Sequence, residues 1–254
     1  MKSSAVCVPE HVLYGRVLVL IALAVGIIVG RVQGQTLSFF RQFETPGMDR
    51  ASVVAADGSG VYVIGNRGFS QGGSVRKYDS QGNELWTHEF DVPARSVHFL
   101  GAAADATGVY VAGYMRPVPL GDVTGQFVRK YSADGNELWT SPLDFLPMGG
   151  VTVDATGVYV AGRDHPPNAS YLRKYSPAGA QLWTRRFGEP HDNYNPHGIA
   201  ADATGVYMVG MRFKSGLFPF ARKWDPNGSE FWNRQLDAVD AFIVAVADPV
   251  NVVM

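Results

Sequence analysis

The chain has 254 residues, 46% of them hydrophobic and 18% charged, with a formal net charge of -1. That is enough apolar material for a sizeable core and excludes a disordered tail. Its 22 Lys and Arg residues are spread along the sequence rather than clustered, so no positive field gathers for a phosphate backbone, and nucleic acid is not an expected partner.

The first 34 residues differ in composition from the rest. Lys2 and Arg16 flank a polar start, Val17 to Gly30 is an unbroken apolar run, and Val32-Gln33-Gly34 follows. A positive start, an apolar core and small or aliphatic residues before a cleavage point predict a signal peptide over 1–34, cut after Gly34. The alternative is an uncleaved anchor, in which case the membrane is touched through this segment alone. As a helix the run would span only about 21 Å, short of a hydrocarbon core of roughly 30 Å, which favours cleavage. The single cysteine, Cys7, precedes the run. A lipid-modified cysteine would follow it, and cleavage would leave a mature chain without cysteine, hence without a disulfide framework.

From residue 50 the chain repeats itself four times. Val61-Tyr62-Val63, Val109-Tyr110-Val111, Val158-Tyr159-Val160 and Val206-Tyr207-Met208 are followed by Arg76-Lys77-Tyr78, Arg129-Lys130-Tyr131, Arg173-Lys174-Tyr175 and Arg222-Lys223-Trp224. The repeats close on Trp86, Trp139, Trp183 and Trp232. Self-similarity at a period of about 50 residues, built of short strands, points to propeller blades. Each repeat carries two turns. Asp57 to Gly60, Asp105 to Gly108, Asp154 to Gly157 and Asp202 to Gly205 have Asp first and Gly fourth, which suits a type I turn closed by a left-handed glycine. Asp79 to Gly82, Ser132 to Gly135, Ser176 to Gly179 and Asp225 to Gly228 repeat the design before each tryptophan. A repeat is thus two hairpins, a–b and c–d, in one four-stranded antiparallel sheet.

The predicted fold is all-β: a β-propeller with four full repeats, about 50–90, 100–143, 149–187 and 197–236, and a partial fifth at 241–254, where Asp248 to Asn251 stands in the place of the first turn. Leu37 to Phe43 resembles a d strand. Either this strand closes a five-bladed ring or the ring is truncated, and the unprotected blade face and sheet edge favour truncation. The constant turns fall at one end of the strands and the irregular b–c and d–a connections at the other, so binding is expected on the loop face. The tryptophans are expected as fully buried inter-blade core, with Leu85 and Thr87 facing the opposite side from Trp86. Adjacent Arg and Lys on a strand point to opposite faces. Each is expected to pack its stem on a ring or to pair with a turn aspartate, rather than to form a basic stripe.

These residues resemble the SBBP-type bacterial β-propeller repeat, a D-x-x-G-x-x-Y-V-x-G hairpin followed by a K-Y-D/S-x-x-G-x-x-x-W hairpin. Asp105, Gly108, Val111, Gly113, Lys130, Tyr131, Gly135 and Trp139 carry it in the second copy. The first hairpin is also similar to the NHL-type repeat and the ending to the quinoprotein-type blade. The SBBP resemblance implies an extracellular or cell-surface bacterial protein and no catalytic residue.

Gly68-Phe69-Ser70-Gln71-Gly72 matches G-x-S-x-G, but that nucleophile motif needs a strand-to-helix elbow and here lies in a loop between strands. His191, Asp192 and His197 are candidate metal ligands in one d–a loop, with His98 at a similar place one repeat earlier. The recurring turn aspartates fit backbone geometry rather than a calcium loop. Arg116, Arg163, His165 and Arg212, with Asp164 beside them, are candidates for holding an anionic or glycan ligand at the channel mouth. Asn168-Ala169-Ser170 and Asn227-Gly228-Ser229 match the glycosylation triplet. No cofactor is called for. The expectation is an exported, non-catalytic binding or cell-surface scaffold, secreted, periplasmic or surface-held, whose partner is an extracellular protein or glycan. The alternatives are a propeller enzyme, quinoprotein-like oxidoreductase or hydrolase, and a truncated relic without activity.

Overall fold

The computed structural model describes residues 50–67, 71–118, 121–164, 169–188 and 192–235, with the short pairs 246–247 and 252–253. The expected signal peptide, the Leu37 to Phe43 strand and the Asp248 to Asn251 turn lie outside the described residues.

The chain forms a β-propeller of four-stranded antiparallel blades. The first blade is β1 (Arg50–Asp57), β2 (Gly60–Arg67), β3 (Gln71–Tyr78) and β4 (Glu84–Phe90). The second is β5 (Arg95–Asp105), β6 (Gly108–Pro117), β7 (Thr124–Ser132) and β8 (Glu137–Pro142). The third is β9 (Leu146–Asp154), β10 (Gly157–Arg163), β11 (Ser170–Tyr175) and β12 (Gln181–Phe187). The fourth is β13 (Asn193–Asp202), β14 (Gly205–Phe213), β15 (Leu217–Trp224) and β16 (Glu230–Gln235). A two-stranded hairpin follows, β17 (Val246–Ala247) and β18 (Val252–Val253). Each blade is a simple up-and-down meander. First strands meet first strands, β1 with β5, β5 with β9, β9 with β13 and β13 with β17, so they form the inner wall around the axis. Among the described residues no comparable contact joins β13 or β17 back to β1, and the arc is open.

Strand alternation explains the constant words of the repeat. In β6, Val109 and Val111 face the first blade, joining Tyr62, Ile64, Val75 and Phe90 in one cluster. Tyr110 and Ala112, one residue out of phase, face the third blade with Val158, Val160 and Tyr175. Tyr159 and Ala161 meet Val206, Met208 and Trp224 in the same way. A central strand buried on both faces therefore reads as Val-Tyr-Val with no polar position.

The two turns need glycine for different reasons. Gly60, Gly108, Gly157 and Gly205 have φ of 155°, 138°, 154° and 138°, well beyond the left-handed helical value expected from the sequence. What excludes a side chain is the neighbouring strand: a Cβ on Gly108 would lie 2.0 Å from the Tyr131 carbonyl oxygen, and one on Gly60 2.1 Å from that of Tyr78. The c–d turns do follow the expected design. Gly179 has φ of 88°, its N–H donates to the Ser176 carbonyl at 2.9 Å, and Ser176 N–H donates to the Ala180 carbonyl at 2.8 Å, a type I turn with a left-handed glycine.

The tryptophans correct the sequence reading. Tyr62, Tyr110 and Tyr159 of the second strands are the fully buried repeat aromatics, each at 0% exposure, whereas Trp86, Trp139 and Trp183 are only partly buried at the rim of the clusters. The outermost strand of each blade has a solvent side, so Leu85, Leu138 and Leu182, one residue before each tryptophan, are 52% exposed.

Candidate functional site at the loop end of the channel

On the turn face polar side chains close the turns of their own blade and, at the lysines and tryptophans, reach the next blade. The turn aspartate spends both carboxylate oxygens. Asp105 Oδ1 accepts from Thr107 N–H at 2.7 Å and from its Oγ1, and Oδ2 accepts from Tyr110 Oη at 2.9 Å. The arrangement recurs at Asp57, Asp154 and Asp202. Burial, reinforced by the aspartate beside it, pushes the Tyr110 phenol well above its ordinary range. These bonds account for the recurrence of the aspartates as turn residues.

The Arg-Lys pair divides between the two neighbouring blades. Lys77, Lys130 and Lys174 lie over the rings of Tyr62, Tyr110 and Tyr159 at 5.1, 4.7 and 4.8 Å. They donate forward to the carbonyls of Ala133, Pro177 and Pro226 in the next blade's c–d turn at 2.9, 3.3 and 2.9 Å. Trp86, Trp139 and Trp183 Nε1 donate to the same three oxygens at 3.0, 3.1 and 3.1 Å. The arginines point back: Arg129, Arg173 and Arg222 lie over Phe90, Phe145 and Phe187 at 5.0, 5.0 and 4.7 Å. They pair with Glu137, Asp144 and Glu230, not with the turn aspartates. The stems pack on rings as expected.

The opposite end of the strands is unlike this. Among the described residues, the buried side-chain atoms left without a hydrogen-bond partner are Asn66 Oδ1, Arg116 Nε, Arg163 Nε, Asn193 Oδ1 and Asn195 Oδ1, together with Tyr175 Oη and Arg222 Nε. The first five all stand where second strands end or first strands begin, on the loop face. Buried polar atoms are normally satisfied, and these five exceptions fall at one end of the strands, spread over the four blades. Neither Arg116 nor Arg163 has a carboxylate partner among the described residues.

Bulges interrupt three of the four first strands. One extra residue interrupts β1 between Ala51 and Val53, β5 between Phe99 and Gly101, and β13 between Pro196 and Gly198. A bulge re-aims the extra side chain. Leu100 and His197, two of these residues, help line a cavity of about 210 Å³ with Met148, Gly149 and Ile199. His197 Nε2 is 3.1 Å from Asn195 Nδ2. Burial, then the charge of Arg163, holds its imidazole below the ordinary histidine range. His98 stands two positions before the second blade's bulge residue, at the register place of Asn195: it stacks on Tyr114 at 4.8 Å and sits 3.1 Å from Ser96 Oγ. Burial, then Arg116, lowers its pKa too. The sequence singled out Arg116, Arg163 and His197; it gave no sign of Asn66 or Asn195, whose significance depends on register.

The remaining candidates divide. Arg212 and Asp192 are spent on each other, with Nε–Oδ1 at 2.6 Å and Nη2–Oδ2 at 2.8 Å, and Arg212 lies over Tyr194 at 5.4 Å. The pairing holds the Asp192 carboxyl below the usual range. His197 is five positions further along extended backbone, roughly 16 Å away at strand rise, so Asp192 and His197 do not share one ion. Among the described residues no three His, Cys, Asp or Glu side chains gather as a metal site. His165, His191, Asn168 and the serine of G-x-S-x-G lie outside the described residues.

No family model and no curated protein sequence matches this chain. Among solved structures it is similar to the WD40 domain of Toxoplasma gondii coronin, with a TM-score of 0.40 and 9% identity over 77% of this chain and 61% of that one. It is also similar to a eukaryotic initiation factor, with a TM-score of 0.35 and 12% identity over 74% and 55%. The chain thus spans about three-fifths of the length of the structures it matches.

Proposed function

We propose that this protein is an exported, non-catalytic binding scaffold of the SBBP-type bacterial propeller class, acting at the cell surface or beyond it. It takes an acidic, hydroxyl-rich ligand, an acidic glycan, at the loop end of its channel. The observation that carries this reading is the contrast between the two faces: at the turn face the lysines and tryptophans bond to the next blade and the aspartates bond within their own turns, while at the other Arg116 and Arg163 have no carboxylate partner among the described residues and the amide oxygens of Asn66 and Asn195 are unpaired. Guanidinium donors suit a carboxylate or sulfate, and amide oxygens suit sugar hydroxyls. Export is supported by the apolar run Val17 to Gly30 behind Lys2 and Arg16.

The reading is tested by titrating the full chain with acidic and neutral oligosaccharides, divalent metals and a quinone cofactor. Saturable binding of acidic oligosaccharides, weakened at least tenfold by Arg163→Ala, is the expected outcome. Saturable quinone binding accompanied by turnover would replace the scaffold with an enzyme.

A further inference from the structure

Of the unpaired atoms at the loop end, Arg163 Nε and Asn195 Oδ1 belong to one interface, that of the third and fourth blades. β13 packs there on both β9 and β10, so closely that a Cβ on Gly149 would fall 2.7 Å from the Cβ atoms of both Ala161 and Pro196. Asn195 precedes Pro196 and Arg163 stands two residues beyond Ala161. His197 ties the two together: Asn195 Nδ2 donates to its Nε2 at 3.1 Å, and the Arg163 charge acts on its ring. Because that amide nitrogen can only donate, Nε2 accepts, and the imidazole is neutral with its proton on Nδ1. The same histidine stands in the wall of the cavity of about 210 Å³, whose other side chains, among them Leu100, Met148 and Ile199, are apolar. A cavity of about 150 Å³ holds one benzene ring, so this hollow has room for a substituent of a sugar rather than for a sugar chain.

We propose that this corner, within the acidic-glycan reading on which the assignment rests, is a subsite for the acetamido group of a sugar acid. The ligand's carboxylate accepts from Arg163 Nε, its acetamido N–H donates to Asn195 Oδ1, and its acetyl methyl enters the hollow against Met148 and Ile199. Each part meets a need that the protein leaves open: an acceptor for a buried guanidinium nitrogen, a donor for a buried amide oxygen, and an apolar surface for an apolar wall. A plain uronic acid meets the first and, through a hydroxyl, the second, but leaves the hollow to water. An aliphatic carboxylate meets the first and third and leaves Asn195 Oδ1 unpaired. The neutral imidazole offers no charge that would draw a second anion into the hollow.

The test uses the full chain and three probes: N-acetylneuraminate, its analogue with a hydroxyl in place of the acetamido group, and the methyl glycoside of N-acetylglucosamine, which keeps the acetamido group and lacks the acid. Calorimetry gives the affinities and saturation-transfer NMR the placement. N-acetylneuraminate should bind about tenfold more tightly than its hydroxyl analogue, the worth of one buried methyl and one hydrogen bond, and its acetyl methyl should take the strongest saturation. Met148→Trp, which fills the hollow from a position already 39% exposed, should abolish that preference and leave the analogue's affinity unchanged. Arg163→Ala should weaken both acids by the same factor. Equal affinity of the wild type for the two acids, or a methyl no more saturated than the ring protons, would overturn the acetamido subsite and leave the acidic-ligand reading standing. Binding of the neutral glycoside with neither acid bound would instead overturn the acidic-ligand reading, and no binding of any probe at millimolar concentration would overturn both.

Discussion

Lys130 and Trp139, neighbours across β7 and β8, donate to a single acceptor, the Pro177 carbonyl oxygen of the following blade, at 3.3 and 3.1 Å. Two donors on one oxygen fix both the spacing and the rotation of successive blades. Trp139→Phe keeps the apolar contact and loses one hydrogen bond, an expected cost of about 1 kcal/mol. Trp139→Ala should cost about 3 kcal/mol, the low end for a buried aromatic because the ring is only partly buried. Chemical denaturation of both variants measures the difference.

The glycine on the other side of that contact is a sharper test. Gly179→Ala combines a φ of 88° with a Cβ 2.7 Å from the Trp139 ring, and an expected loss of about 2 kcal/mol. Gly58, in the first a–b turn, has nothing within 4 Å of its would-be Cβ and no positive φ. Gly58→Ala should be neutral or stabilise by about 0.5 kcal/mol through the unfolded chain. A thermal melt of the two alanine variants should move in opposite directions or leave Gly58→Ala unchanged.

Removing a turn carboxylate strands its donors. Asp154→Ala deprives Thr156 N–H and the Tyr159 phenol of their acceptor, with an expected loss of about 2 kcal/mol. The same substitution at exposed Asp134 should be within about 0.5 kcal/mol of neutral.

Stability should also depend on pH through two first-strand histidines, His98 and His197. Burial, then the neighbouring arginines, depresses the pKa of His98 and His197 in the folded protein, so the unfolded chain binds the proton more readily. Their contribution is complete above the unfolded value of about 6.5 and is lost as pH falls through the lower folded value. Between pH 7 and pH 5 the denaturation midpoint should decline, and His98→Gln/His197→Gln should flatten that decline. An unchanged slope in the double variant would show that other groups carry it.

Much of this architecture was legible in the sequence because it is local and repeated. Strand alternation in Val-Tyr-Val and the Asp and Gly positions of the turns follow from chain geometry over a few residues, and four copies make them unmistakable. The tryptophan was read as core because a large aromatic at a fixed place usually is; its partner, the Pro177 or Ala133 carbonyl, stands 38 or 47 residues away and leaves no mark in composition. Arg212 and Asp192 looked like separate ligands for the same reason, since only the register of β13 on β14 brings them together. Asn66 and Asn195 passed unnoticed because an asparagine in a strand acquires meaning only from what fails to reach its oxygen.

The division of labour between the two faces is most directly tested by one titration series with an acidic oligosaccharide. Wild type is compared with Arg116→Ala/Arg163→Ala on the loop face and with Ser80→Ala/Gln81→Ala on the turn face, each at matched stability. The expected result is a loss of tenfold or more in affinity for the loop-face pair and no change for the turn-face pair. Loss confined to the turn-face pair, or equal binding by all three proteins, would contradict the assignment of the site to the loop end of the channel.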